Sequence, residues 1–168
     1  LLMAWGLSRA LSEESQRKRA QLYNPSPLIG QSRDHRGWRQ RLGQAMHFAA
    51  RDEVYRFMHE QVRPAIEAVA AQLQDEGWQV SSRLDDADME ISVDHGEQQG
   101  FRYQVVMRGY LTPSFAAQRL RNQRYYRAEV YLFEGSQDYD LVGYSREQII
   151  NDIIDQYERH LQFLHLTR

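Results

Sequence analysis

The chain has 168 residues, enough for one domain with its own hydrophobic core and too few for two. Hydrophobic residues make up 42% and charged residues 26%, which excludes wholesale disorder, and the absence of cysteine excludes disulfides, a thiol nucleophile and thiolate metal sites. The formal net charge of −2 conceals an uneven distribution, because residues 1–41 carry eight basic and three acidic groups and form a basic arm before an acidic body.

The start of this arm has the pattern of a membrane helix that is ending. The apolar run Leu1–Leu7 is too short to span a bilayer, which needs about 20 residues, and no basic residue precedes it as in a signal peptide. Arg9 and the cluster Arg17-Lys18-Arg19 follow the run, as at the cytoplasmic exit of a transmembrane helix, where Trp5 would suit the headgroup region. The alternative is an amphipathic N-terminal helix with a solvated charge cluster.

A break follows at Asn24-Pro25-Ser26-Pro27, because two prolines within three residues prevent a helix from continuing. The polar and basic stretch from there to about Gly37 is typical of a linker, and residues 38–48 are predicted to form a short helix. The sequence therefore predicts two parts, residues 1–37 and residues 38–168.

A long helix is predicted over residues 52–76, with Asp52 as its N-cap and Gly77 as its stop. Pro64 should kink it, because the proline ring removes a hydrogen bond and crowds the carbonyl of Glu60. The apolar residues of this helix fall within an arc of about 120° and are expected to be buried: Val54, Met58, Val62, Ala65, Ile66, Val69 and Leu73.

The period then changes to that of β-strands. Residues 78–84, 89–94, 101–108 and 124–133 are rich in aromatic and β-branched residues, and the two glycines of residues 95–100 suit a hairpin connection. In the fourth strand, alternation should place Tyr126, Ala128, Val130 and Leu132 on one face and Tyr125, Arg127, Glu129, Tyr131 and Phe133 on the other.

The last helix begins at a capping box, Ser145-Arg146-Glu147-Gln148. It carries an apolar arc of about 140° formed by Ile149, Ile150, Ile153, Ile154, Tyr157, Leu161 and Leu164. The order of helix, four strands and helix predicts an α+β fold. We expect a four-stranded, mostly antiparallel sheet with helices packed on one face, because the strand connections are too short for parallel crossovers, and an N-terminal helical and basic arm before it.

No residue pattern assembles an enzyme, a metal site or a cofactor site. The sequence has no glycine-flanked nucleophile elbow and no phosphate-binding loop. His160 and His165 are five apart and do not share a helix face, so we expect packed histidines and not metal ligands. The acidic residues 85–90 lack the glycine and the glutamate that a calcium loop requires, which favours a solvated turn.

The charge and the aromatic content bear on two candidate ligands, nucleic acid and a quaternary ammonium ion. Nucleic-acid binding is not expected, because the acidic body would repel phosphates. A cation–π box for a quaternary ammonium ion is one hypothesis, with Phe101, Tyr103, Tyr125, Tyr126 and Tyr131 as its members. The alternative is that these rings pack as cross-strand pairs.

Several segments resemble the long C-terminal tail of choline transporters in the betaine/choline/carnitine transporter family. The tail-like segments are Glu134–Leu141, Tyr144–Gln148, Asp152–Leu161 and Phe163–Leu166, and Leu1–Leu11 resembles the end of that family's last transmembrane helix. Trp38-Arg39-Gln40-Arg41-Leu42 and the helix with Pro64 also fit. The resemblance spans essentially the whole chain and is most specific after residue 133.

The resemblance implies that residues 1–37 are the end of the last transmembrane helix plus a basic juxtamembrane linker. It implies that residues 38–168 are a cytoplasmic regulatory domain at the bacterial inner membrane. Family members are secondary transporters that import choline, glycine betaine or related quaternary ammonium osmoprotectants, and their tails adjust transport to osmotic stress. Their substrate cages lie in membrane helices, so no substrate-binding residue is carried over to this chain.

The expected partners are the transporter's own membrane domain, anionic inner-leaflet lipid and further copies of the chain, since family transporters can be trimers. We predict a two-state mechanism in which a basic strip binds either anionic lipid, an attraction that salt weakens, or the acidic body, so that a change in ionic strength moves it between the two. Its candidate residues are Trp5, Arg9, Arg17, Lys18, Arg19, Arg33, Arg36, Arg39 and Arg41. The alternative functions are a module that senses choline or betaine, and an oligomerisation or partner-docking domain.

Overall fold

The computed structural model describes residues 37–117, 119, 123–132 and 139–166. Its helices are α1 (Trp38–Ala45), α2 (Arg51–Phe57), α3 (Arg63–Asp75), α4 (Ser114–Ala117) and α5 (Arg146–Leu166). Its strands are β1 (Val80–Leu84), β2 (Asp88–Val93), β3 (Phe101–Leu111) and β4 (Arg124–Leu132). This order of elements confirms the predicted α+β fold.

The strands form one antiparallel sheet in the order β1-β2-β3-β4. Ile91 of β2 lies opposite Tyr103 of β3, and Val105 of β3 lies opposite Val130 of β4. Each connection joins neighbouring strands, as the short loops require. Every pair of neighbouring strands is antiparallel.

The hydrophobic core lies between one face of the sheet and the helices α2, α3 and α5. Burial of these apolar side chains is the main favourable term in the folding of the body. The predicted arc of the long helix is confirmed, since Val54, Met58 and Ile66 are fully buried. The sheet contributes alternate residues of its strands to the same core: Met89, Ile91, Val93, Phe101, Tyr103, Val105, Ala128 and Val130.

The long helix is irregular just before Pro64. Met58–Val62 forms one π-helical turn between α2 and α3, and Pro64 stands in the first turn of α3. The proline ring needs room beside the carbonyl of Glu60, and the wider π turn offers it while Met58 and Val62 stay buried.

The predicted end of this helix is confirmed and its predicted N-cap is wrong. Gly77 has a φ of 90°, a backbone conformation that favours glycine after a helix. The helix begins at Arg51 with Ala50 as N-cap, and no side chain caps it. Asp52 lies in the first turn instead, where its charge complements the helix dipole.

The capping box of α5 is confirmed, but the buried face of the helix is rotated from the predicted arc. The Ser145 hydroxyl accepts a hydrogen bond from the Gln148 amide, and the Gln148 side chain accepts one from the Ser145 amide. Ile154 and Leu161 are exposed, while the polar Asp152 and Gln156 are buried. At 100° per residue this shifts the centre of the buried face by about 50°.

The physical reason for the rotation is a buried polar cluster. Tyr103 and Tyr139 donate hydroxyl hydrogen bonds to the Asp152 carboxylate at 2.5 and 2.6 Å, and Gln156 donates one to the Tyr139 hydroxyl. A buried hydroxyl without an acceptor is costly, so the helix turns its carboxylate inward. Burial and the neighbouring Asp152 raise the pKa of both tyrosines.

The outer edge of β4 is hydrogen-bonded along part of its length. The carbonyl of Ala49 accepts from the Tyr126 amide, and the Leu141 amide donates to the carbonyl of Ala128. The Asp140 carboxylate accepts from the Ala128 amide at 2.9 Å. These contacts satisfy backbone groups that an open edge would expose.

Candidate functional site

The predicted basic strip lies largely outside the described residues. This holds for Trp5, Arg9, Arg17, Lys18, Arg19, Arg33 and Arg36. Arg39 and Arg41 lie on α1 and are exposed, and the Arg39 guanidinium stands 4.4 Å from the centre of the Trp38 ring. The structure therefore brings two of the strip's arginines together on one helix with an aromatic side chain.

Helix α1 turns its apolar side chains toward solvent. Trp38, Leu42 and the C-cap residue Met46 follow one another at intervals of four residues and are 58–64% exposed. No residue of α1 is buried, and the half-buried Gln44 lies against Gly143 of the body. This arrangement is the reverse of an ordinary surface helix, whose apolar stripe faces the core.

The connection between β3 and β4 adds further exposed apolar groups. Leu111 is 76% and Phe115 67% exposed, and Arg124 beside them is exposed as well. Phe48, just after α1, makes edge-to-face contacts with Phe115 and Tyr125 at 6.2 and 5.1 Å between ring centres. The end of α1 and this connection are therefore neighbours on the surface.

The five aromatic residues of the predicted cation–π box are not brought together. Phe101, Tyr103 and Tyr126 lie on the helix-covered face, where Phe101 and Tyr103 are buried in the core. Tyr125 and Tyr131 alternate with Tyr126 along β4 and lie on the opposite face. A single box would need all five rings on one side of the sheet.

The open face of the sheet holds a buried carboxylate that the sequence reasoning did not single out. Glu129 is fully buried, Tyr110 and Tyr131 donate hydroxyl hydrogen bonds to it, and the Arg127 guanidinium lies 3.4 Å away. The alternation of Arg127, Glu129 and Tyr131 along β4 is the signal that could have indicated this cluster. Its partners compensate for removing a charge from water.

The acidic turn pairs with arginines. The Arg83 guanidinium lies 3.5 Å from the Asp85 carboxylate and 2.9 Å from that of Asp88, and Arg102 lies 2.7 Å from Glu90. The negative charges raise the pKa of Arg83, with Asp88 as the main cause. Among the described residues, no three acidic or histidine side chains are grouped as a metal site would require.

Of the two histidines of the last helix, His160 packs against the body, whereas His165 is exposed, so the prediction of a packed side chain is wrong for His165. His160 donates from Nε2 to the carbonyl of Gln99 at 2.8 Å, which confirms a hydrogen-bonded histidine. His95 stacks on Tyr157 at 5.7 Å between ring centres, and His160 lies at the same distance. Burial and then the nearby His160 lower the pKa of His95.

In the part of the chain that the structure describes, no helix is both long enough and apolar enough to span a membrane. No model of a known protein family matches the sequence.

Individual proteins do match it. The whole chain is 40% identical to part of an osmo-dependent choline transporter of Acinetobacter baylyi and 37% identical to part of a glycine betaine transporter of the same organism. Over 97% of its length it is 35% identical to part of the high-affinity choline transport protein of Escherichia coli. The chain spans about a quarter of the length of these relatives and corresponds to their C-terminal segment.

Proposed function

This chain matches the C-terminal segment of choline transporters of the betaine/choline/carnitine transporter family, and from that premise we propose that it is a regulatory domain. In this proposal it adjusts a secondary transporter of choline, or of a related quaternary ammonium osmoprotectant, to osmotic conditions. It acts at the cytoplasmic face of the bacterial inner membrane. The observation that carries the proposal is the match along the whole chain to a relative named as osmo-dependent.

The structure supports a domain that acts by binding a partner through its surface and not by sensing a small ligand. The described residues form a body with its own core, and the polar clusters around Asp152 and Glu129 are internally hydrogen-bonded. The split of the aromatic residues over both faces of the sheet argues against the alternative of a cation–π sensor. Arg39 and Arg41 are exposed on the first described helix, as a basic strip would require.

The proposed mechanism is a competition for the basic strip. Eight basic groups lie in residues 1–41, and the remaining 127 residues hold 13 basic and 20 acidic groups. Each basic residue near an anionic membrane surface contributes about 1 kcal/mol, and screening by salt weakens this attraction. A shift from 1:99 to 99:1 between two states requires about 5.5 kcal/mol, which several of these residues acting together supply.

The test is uptake of radiolabelled choline by the intact parent transporter, with and without residues 38–168, over a series of external osmolalities. We expect the truncated transporter to keep its basal uptake and to lose or reset its osmotic activation. Quantifying each protein in the membrane fraction separates a change in activity from a change in abundance. An unchanged osmotic response in the truncated protein would place regulation elsewhere and contradict the proposal.

The electrostatic mechanism has a separate test within the same transporter. Replacing Arg17, Lys18 and Arg19 with glutamine should shift the osmolality at which uptake rises. The matched control replaces Arg51, Arg56 and Arg146, three exposed arginines of the body, with glutamine. Equal shifts in both variants would show that overall charge, and not the strip, is responsible.

A further inference from the structure

We propose that α1 and the connection between β3 and β4 form one surface that binds an anionic lipid bilayer, with its apolar side chains entering the headgroup region. This apolar–basic surface consists of Trp38, Leu42 and Met46 from the region of α1, Phe115 from the connection, and Leu111 and Arg124 from the strand ends that flank the connection. The inference rests on the proposed function, which places the chain beside the membrane. It adds a contact by the folded body to the contact of the N-terminal strip.

The first argument is the outward orientation of α1. At 100° per residue, Trp38, Leu42 and Met46 fall within an arc of about 80°, with Arg39 and Arg41 on its two borders. Such a helix lies in the plane of a membrane interface, with its apolar face inserted and its cations at the level of the phosphates. Gln44, on the opposite side of α1, lies against the body and leaves the stripe turned outward.

The second argument is independent of α1 and comes from the middle of the sequence. Residues 98–128 contain six arginines and no acidic residue, and two of these arginines, Arg102 and Arg127, pair with Glu90 and Glu129 from outside the segment. Within this region Leu111 and Phe115 are largely exposed, and so are Arg119 and Arg124. A basic surface with exposed aliphatic and aromatic side chains has the chemistry of an anionic bilayer.

The two parts meet in the fold. Phe48 packs against Phe115 and Tyr125, and the carbonyl of Ala49 accepts a hydrogen bond from the Tyr126 amide at 2.9 Å. The chain that leaves α1 is thereby fixed at the start of β4. The two apolar groups are therefore neighbours on the surface of the folded body.

The favoured occupant is a bilayer because it complements both features at once. Lipid phosphates attract arginines, and the acyl boundary accepts tryptophan, leucine, methionine and phenylalanine. A second copy docked through the same surface would set arginines against arginines, which is unfavourable.

The experiment measures co-sedimentation of the full chain with vesicles of phosphatidylglycerol and phosphatidylethanolamine, and with vesicles of phosphatidylcholine alone. We expect binding to the anionic vesicles that weakens with salt. Changing Trp38, Leu42 and Met46 together to glutamine should weaken it at least about tenfold, since interfacial affinity scales with buried apolar area. Arg39→Gln and Arg124→Gln should each weaken it about fivefold at low salt. The matched control is Ile154→Gln with Leu161→Gln, which removes exposed apolar side chains of α5 and should change nothing.

Fluorescence of Trp38 locates the contact. In a variant with Trp5→Phe and Trp78→Phe, brominated lipid should quench Trp38, and vesicles should protect it from acrylamide. The inference is overturned if Trp38 stays open to acrylamide on bound vesicles, or if the control loses as much affinity as the α1 variant. It is overturned equally if the chain forms concentration-dependent multimers that the α1 variant abolishes, because the occupant is then a second copy. None of these readouts involves transport, so the regulatory proposal stands or falls separately.

Discussion

Replacing Asp152 with alanine is expected to destabilise the body strongly. Asp152 is 3% exposed and accepts hydrogen bonds from Tyr103 and Tyr139 at 2.5 and 2.6 Å. The substitution leaves two tyrosine hydroxyls in the interior without this acceptor. Each such loss costs about 1–3 kcal/mol, so we expect a decrease of about 3–5 kcal/mol in the free energy of unfolding. That is a large part of the 5–15 kcal/mol, roughly, by which domains are stable.

The assay is urea unfolding of the full chain, followed by circular dichroism, with the midpoint and slope fitted for each variant. A lower midpoint at an unchanged slope would show lost stability with an intact folded state. Asn151→Ala is the matched control, because Asn151 is the preceding, exposed residue of α5. It should change the free energy of unfolding by about 0.5 kcal/mol or less.

A double-mutant cycle separates the hydrogen bond from general packing. Tyr103→Phe alone removes one donor, and its effect should not add to that of Asp152→Ala, with a coupling of about 1–3 kcal/mol. Strictly additive effects would refute the reasoning. So would an Asp152→Ala protein within about 0.5 kcal/mol of the unchanged chain, because the carboxylate would then not be what satisfies the tyrosines.

Other predictions concern pH and backbone. Because burial raises the pKa of Tyr139, the hydroxyl proton of Tyr139 is lost from the unfolded chain at a lower pH than from the folded chain. The free energy of unfolding, measured with urea at each pH, should therefore decrease as the pH rises above 10. The decrease should be smaller in Tyr139→Phe. The pKa of His95 is lowered from 6.5, mainly by burial and also by His160, so the free energy of unfolding should be highest above that pH and decrease below it. His95→Gln should make this decrease smaller. An equal decrease with pH in the variant and the unchanged chain would contradict the prediction. Gly143→Ala should lower the free energy of unfolding by about 1–2 kcal/mol, because φ at Gly143 is 92° and the added carbon would meet the Gln44 side chain. Gly43→Ala, which adds a carbon in open space within α1, should raise the free energy of unfolding by about 0.5–1 kcal/mol. Thermal unfolding measures both changes.

The charge of the body is distributed unevenly over its surface. Its overall excess of acidic groups suggests a single negative partner for the basic strip. In the structure, Asp88 and Glu90 are paired with Arg83 and Arg102 on the open face of the sheet. The connection between β3 and β4, by contrast, contributes exposed arginine. A sum over residues does not show this division, because surface charge acts locally within the screening length.

The choice of fold class could be made from the sequence because it rests on local rules. Alternation in β2, β3 and β4 and the stripe from Val54 to Ile66 follow from the geometry of single elements. The capping box at Ser145 is likewise a contact between near neighbours. The resemblance to choline transporters, confirmed by the comparisons, rests on residue identities that need no structure.

The polar clusters around Glu129 and Asp152 could not be predicted from the sequence, because their members come from different elements. The period of β4 places Glu129 on the outer face, but only the positions of Tyr110 and Tyr131 bring it two hydroxyl donors and allow its burial. The sequence of α5 does contain an apolar arc, but the hydrogen bonds of Tyr103 and Tyr139 to Asp152 determine how the helix is rotated about its axis.

The sequence by itself determined which residues share a face of each helix and strand, because 3.6 and 2 residues per repeat are fixed by the backbone. Only the tertiary structure decided which faces are covered. It turned the stripe of α1 outward and placed Phe48 against Phe115, two residues far apart in the chain. Periodicity is local, whereas burial is a relation between elements, so the exposed apolar surface becomes visible only when the elements are in place.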